Sequence, residues 1–306
     1  MTRIIWSAML AVAAIATHQT TAEAQGRGGA GQPNPQVQAE FQRNLALGVK
    51  HRTAWDLYMA LKAAAAGGGR PNVPFNQLPD WSGLWMRAGG GGGFVNALPG
   101  GGPAPKLTAA ALAKLKENEA LAAKGAAYQE NISDCGPPGY PMWLNIPFLR
   151  EFIVRPEQTW LSSETVNNVR RIYTDGRAHP PQDEAFPLYY GDSVGFWDNQ
   201  KLVIHTTQLM ARSLAGRLNQ SEQMETVEIW EKIDPKTVEA KVWIYDPAVY
   251  LEPWYTTRRY NQVDNPAKAL RMNYWHCGEN ANNEVFRTPE GSTQYKDFQF
   301  TDQDNR

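Results

Sequence analysis

From Phe152 to Trp275 the chain repeats one pattern: a short run of alternating or β-branched residues, then a break of a few residues. The runs are Phe152–Val154 with Thr159–Ser163, Val169–Tyr173, Ser193–Trp197, Leu202–Thr207, Thr226–Ile233, Val238–Tyr245, Tyr255–Tyr260 and Leu270–Trp275. Asp198-Asn199 separates one pair and Asp234-Pro235-Lys236 another. Turns this short favour antiparallel neighbours, because such a strand begins where its predecessor ends. About eight strands in meander order predict a mainly β fold: an antiparallel meander forming a lipocalin-like barrel or a strongly curved sheet, with N-terminal helices. A two-sheet sandwich is the alternative. In the run from Glu225 to Ile233, Val227, Ile229 and Ile233 share one face, while Thr226, Glu228 and Trp230 share the other. Such a mixed second face fits a barrel with a lined cavity.

The segment before this β region divides by composition. Residues 1–24 read as a signal peptide: Arg3, a short apolar run, then Ala22-Glu23-Ala24 as a small-x-small cleavage site. The apolar run is too short to span a bilayer comfortably. The expected mature chain starts near Gln25, has no membrane span and is periplasmic or secreted. Residues 25–80 read as a disordered leader and a helical segment, with apolar residues at near-helical spacing from Val37 to Ala66. The β-rich domain is placed at 81–287, opening with Trp81-Ser82-Gly83-Leu84-Trp85, whose tryptophans suit a barrel plug. A glycine-rich loop and a helix capped by Thr108 form an insertion at 88–130, and 288–306 reads as a polar tail. The glycine run lacks the GK[ST] ending of a phosphate loop. A net charge of −1 argues against a nucleic acid partner, which needs a basic face. Export would let Cys135 and Cys277 pair, closing a long loop worth about 4 kcal/mol. Two separate buried thiols are the alternative.

Candidate chemistry concentrates between Arg170 and Thr207. Arg170, Arg171, Asp175, Arg177, His179, Asp192 and His205 lie there among strand ends and turns, where a rigid sheet holds side chains in place. Arginine forks onto carboxylates or phosphates, and histidine takes up protons near neutral pH. His179, Arg177, Asp175 and Glu222 are the candidate acid/base set. Arg170, Arg171, His205, Trp197, Glu228, Trp230 and Tyr173 are the candidate ligand contacts. The blander account of Asp175 and Arg177 is a locked turn with surface ion pairing. No pair of histidines has ligand spacing such as HxH, so no metal is expected, and no cofactor motif is present. Ser193 lies in a run resembling GxSxG, but a strand follows it where a nucleophile elbow needs a helix.

WSGLW, the Cys135-Gly-Pro-Pro-Gly turn, RRIYTDGRAHP, GDSVGFWDNQKLVIHTT, Ser221-Glu222 with Val227-Glu228, YDPAVYLEPW and the closing Cys277-Gly278-Glu279-Asn280 form a set. On these pieces, from Trp81 to Asn280, the chain resembles a large family of secreted, functionally uncharacterised bacterial proteins. The resemblance implies an exported β-rich domain and brings no activity with it. Two positions depart from that pattern. The strand carrying His205 usually has Asp before the Thr, and a His commonly stands where this chain has Gln220. The expected function is a pocketed barrel that binds a small, partly apolar molecule, with cofactor-free acid/base chemistry of the lyase, isomerase or hydrolase kind. A non-catalytic ligand-binding or envelope-interaction module is the alternative.

Overall fold

The computed structural model describes residues 35–89, 105–125, 132, 135–181, 183–214, 218–275, 285–287 and 293–295. The signal-peptide segment, the glycine run of the insertion, Cys277 and most of the polar tail lie outside these residues. No helix among the described residues is long and apolar enough to cross a membrane.

Nine strands close into a barrel: β1 (Leu84–Arg87), β2 (Arg150–Val154), β3 (Gln158–Ser163), β4 (Asn168–Tyr173), β5 (Asp192–Asp198), β6 (Lys201–Thr207), β9 (Glu225–Asp234), β10 (Thr237–Tyr245) and β11 (Trp254–Gln262). They neighbour one another in sequence order, and β11 returns to pair with β1. Two short hairpins stand apart, β7 (Ser213–Leu214) with β8 (Leu218–Asn219), and β12 (Val285–Arg287) with β13 (Thr293–Tyr295). The mainly β barrel predicted from the sequence is therefore present. Two details differ. Leu270–Trp275 forms no strand, and its place in the ring is taken by β1. The meander is also not wholly antiparallel: β4 and β5 run parallel and share a single registered pair, Tyr173 with Val194. An odd number of strands cannot alternate direction all round a closed ring, so one neighbouring pair must run the same way. That pair is the seam of the barrel, and the chain from 174 to 191 must travel back along the barrel to begin β5.

Alternation sorts the side chains into two cores. Trp85, Phe152, Ile172, Ile204, Trp230 and Tyr260 belong to the interior cluster. Trp230 stacks on Tyr260 at 5.4 Å and Trp85 on Phe152 at 5.9 Å, so the lumen is packed with aromatic rings. Trp81 closes one end against Trp197 and Phe152. The segment 140–146 plugs the other, where Arg258 reaches Asn145 and Arg150 reaches the carbonyls of Trp143 and Ile146.

The second core lies outside the barrel, where α1 (Pro35–Val49) and α2 (Ala54–Ala64) cover one wall. Val194, Phe196, Val203, Val227, Trp243 and Tyr255 face these helices. Both faces of β5, β6 and β10 are consequently buried, and their sequences read as nearly continuous apolar runs. A capping box starts α2, with Thr53 Oγ1 accepting from Asp56 N at 3.0 Å and Asp56 Oδ2 accepting from Thr53 N at 3.2 Å. A β carbon on Gly48 would sit 2.5 Å from Trp243, so glycine is what lets α1 lie this close to the wall. The insertion supplies α3 (Ala109–Ala123), capped by Thr108 as the sequence predicts.

Gly191 delivers the chain into β5. Its φ is +64°, and an added β carbon would collide with the Thr207 carbonyl. Gly191→Ala is expected to cost at least about 1–3 kcal/mol, from the left-handed backbone and the clash together. A denaturation midpoint unchanged from the parent would show that this junction yields freely.

Candidate active site

The two histidines of the Arg170–Thr207 stretch meet on the outer wall, under α2. His205 alternates with the inward-facing Ile204 and Thr206, so it points out of the barrel. His179 arrives on the return segment from β4 to β5, held extended by the following Pro180. Its Nε2 lies 2.7 Å from His205 Nδ1, and its Nδ1 lies 2.5 Å from Asp192 Oδ1 at the start of β5. On the far side of His205, Nε2 faces Glu225 Oε2 at 3.6 Å. Glu225 also accepts from the Thr207 hydroxyl at 3.2 Å. The result is a row of four titratable groups, Asp192, His179, His205 and Glu225. Trp55 and Tyr58 of α2 cover His205 at ring distances of 5.1 and 5.7 Å.

With both rings neutral, the hydrogen-bond pattern assigns the tautomers. Asp192 accepts, so His179 carries its proton on Nδ1. His179 Nε2 then accepts from the Nδ1–H of His205. His205 Nε2 is left as a bare lone pair, buried, with no hydrogen-bond partner. Opposite it stands the Glu225 carboxylate, another acceptor, too distant for a hydrogen bond. Burial holds the His205 imidazole below the usual histidine range, outweighing the pull of Glu225. For Glu225, burial raises the carboxyl, but its contacts with His205 and Thr207 bring it below the ordinary value. A proton delivered between these two groups would join them, and the Asp192 charge would stabilise it through His179.

Glu225 also lines a surface cleft of about 230 Å³ with Arg52, Thr53, Tyr245, Tyr250 and Pro253. It therefore connects the buried row to a space where a small molecule can sit.

The other sequence-predicted residues scatter. Asp175 and Arg177 pair with each other at 2.7 Å, and Arg177 lies over the Tyr173 ring at 4.0 Å. This is the locked turn, with Arg177 largely exposed. Glu222 is exposed on the turn before β9. The carboxylate beside the histidines is Glu225, three residues on. Arg171 sits on the outer wall over Trp160. Arg170 and Glu228 pair inside the barrel at 2.6 Å, both fully buried, with Trp230 Nε1 donating to Glu228 at 2.9 Å. Trp197 is packed at the Trp81 end. The sequence places Asp192 in the charged cluster without giving it a site role and reads Glu225 as part of an exposed strand face, whereas Glu225 is half-buried beside His205. Their only signal is position: Asp192 opens the strand paired with that of His205, and Glu225 opens the strand on its other side.

No protein-family model matches the chain, and no curated protein does. Among solved structures, the crystal structure of a mutant of the fluorescent protein UnaG is similar at 14% identity, over 60% of this chain and 96% of that one, with a TM-score of 0.27.

Proposed function

We propose that this protein performs cofactor-free acid/base chemistry on a small, partly apolar molecule held in the cleft beside Glu225. The observation that carries this reading is the unpartnered, buried Nε2 of His205 facing Glu225 at 3.6 Å. Glu225 takes a proton from the bound molecule and shares it with His205. His179 and Asp192 spread the resulting charge, as an oriented base requires. Catalytic contacts of this kind commonly tighten only when the reactant is bound. Tyr245, Tyr250 and Pro253 supply apolar walls, and Arg52 supplies one cation.

The base-induced ring opening of 5-nitrobenzisoxazole tests the reading without knowledge of the natural substrate. The parent protein is expected to exceed Glu225→Gln by about 10²-fold or more. Equal rates would sink the proposal.

One feature favours the non-catalytic alternative. An apolar groove of about 440 Å³ lies at the opposite end of the barrel, lined by Phe75, Leu78, Trp81, Phe152, Ile153 and Val154. A protein that only binds would use that groove and show no dependence on Glu225. The leader sequence supports a location outside the cytoplasm for either activity. Mass analysis of the exported protein is expected to find a start near Gln25, and an intact Met1 in that fraction would contradict it.

A further inference from the structure

Buried cations carry a heavy desolvation cost unless a negative charge or a full set of acceptors meets them. Arg170 has such a partner in Glu228. Arg150 is equally buried but is met only by backbone carbonyls: Trp143 at 2.6 Å, Ile146 at 2.7 Å and Phe148 at 3.1 Å. Its guanidinium lies over the Trp143 ring at 4.6 Å and the Tyr260 ring at 4.8 Å. Its Nε has no hydrogen-bond partner, and neither has the indole Nε1 of Trp143. A second guanidinium, Arg87, ends β1 on the same inward face as Trp85 and is close enough to act electrostatically on Arg150. It is half-buried, its Nε also lacks a partner, and it makes no ion pair among the described residues. Burial first, and the Arg87 charge against it, push Arg150 below the usual arginine range. Three unused N–H donors on two arginines and a tryptophan thus gather at the plugged end of the lumen. Unused donors beside positive charge ask for an acceptor that carries negative charge. The rings of Trp143, Tyr260 and Phe152, packed on one another, make the surroundings of these donors apolar.

We propose that Arg87, Arg150 and Trp143 form a binding site for a small monocarboxylate with an aromatic or short apolar body. The carboxylate would lie between the two guanidiniums and accept from their Nε–H groups and from the indole. Half-buried Arg87 is the side of the site that solvent reaches. This site is in the lumen and is independent of the Glu225 row on the outer wall.

Benzoate and benzamide have nearly the same shape and differ in charge, which makes them the probes. Binding is read by isothermal titration, by tryptophan fluorescence and by the rise in melting temperature that a native-state ligand produces. Benzoate is expected to bind and to raise the melting temperature, while benzamide does neither. Arg87→Gln and Arg150→Gln are each expected to weaken benzoate by about tenfold or more, the loss of a charge-assisted contact. Trp143→Phe keeps the ring and removes the donor, so it is expected to weaken binding while the protein stays folded. If Arg150→Gln fails to fold, Arg87→Gln and Trp143→Phe decide the matter. Arg171→Gln, on the outer wall, is expected to bind as the parent does. No benzoate binding by the parent at millimolar concentration, equal binding of benzamide, or unchanged affinity in Arg87→Gln and Trp143→Phe would each overturn the proposal.

Discussion

Glu228→Gln is expected to lower stability by about 3–5 kcal/mol, the usual cost of leaving a buried ion without its partner. For a domain of this size that corresponds to a fall in melting temperature on the order of 10 °C. Arg170 donates to Glu228 twice, at 2.9 and 2.6 Å, and also reaches Thr206 at 2.7 Å and Ser193 at 3.3 Å. These bonds tie β4 to β5, β6 and β9 across the seam, where the backbone ladder is reduced to one registered pair. A glutamine there keeps the shape but leaves the guanidinium uncompensated. Replacing both partners, Arg170→Met with Glu228→Leu, is expected to recover much of the loss, because neither charge is then buried. Calorimetry of the two variants checks both statements. A loss under about 1 kcal/mol in Glu228→Gln would mean that the pair holds nothing together. The pair also sets an acid dependence. Burial alone would raise the Glu228 carboxyl, but the adjacent Arg170 charge outweighs it and brings the group below its ordinary value of 4.5. The unfolded chain therefore binds this proton first as pH falls. The contribution is complete above about 4.5 and is lost as pH drops through the lower folded value. Glu228→Gln is expected to lose that part of the acid limb.

His205→Gln is expected to reduce the ring opening of 5-nitrobenzisoxazole by about 10²-fold or more, because Glu225 then has no group with which to share the proton it takes. His179→Gln should fall in the same direction, since it removes the acceptor that fixes the His205 tautomer. Asp192→Asn separates a positioning role from a merely structural one. It keeps the size of the side chain but can offer His179 an N–H as well as an acceptor. A reduced rate with an unchanged melting temperature marks Asp192 as a positioning residue, and an unchanged rate removes it from the row. The pH profile gives a further check. The row can share the proton only while His205 is a neutral imidazole, and burial holds His205 below 6.5. The rate is therefore expected to rise with pH and reach half its maximum below 6.5. The same shift acts on stability. As pH falls below 6.5 the unfolded chain takes up the His205 proton before the folded protein does. Stability drops across that window and levels off beneath the folded value. A half-maximum above 6.5 would contradict the buried-imidazole assignment.

Local residue order determined most of the fold. Alternation in Glu225–Asp234 separated Thr226, Glu228 and Trp230 from Val227 and Ile229, and the barrel does put the first set inside. Asp198-Asn199 and Asp234-Pro235-Lys236 join β5 to β6 and β9 to β10, because a short turn leaves a strand no neighbour but the one before it. Thr108 marked a helix start through its own side-chain bond to the backbone. Each of these signals acts over a few residues, so it survives without knowledge of the rest of the chain.

What the tertiary structure decided is which distant residues meet. Only closure of the ring places one parallel pair between β4 and β5, and that requirement is a count of strands with no local signature. It sends residues 174–191 back over the wall and lays His179 on His205. The sequence marked both histidines as chemical, but it paired them with the wrong acids. Glu222 and Glu225 differ by three positions on the way into β9, and only the register against β6 turns Glu225 toward His205. Arg170 and Arg171 are adjacent in sequence, yet the pleat sends one to the buried pair with Glu228 and the other to the outer surface. Strand pairing is a long-range choice, and a shift of one residue exchanges the two faces of a strand.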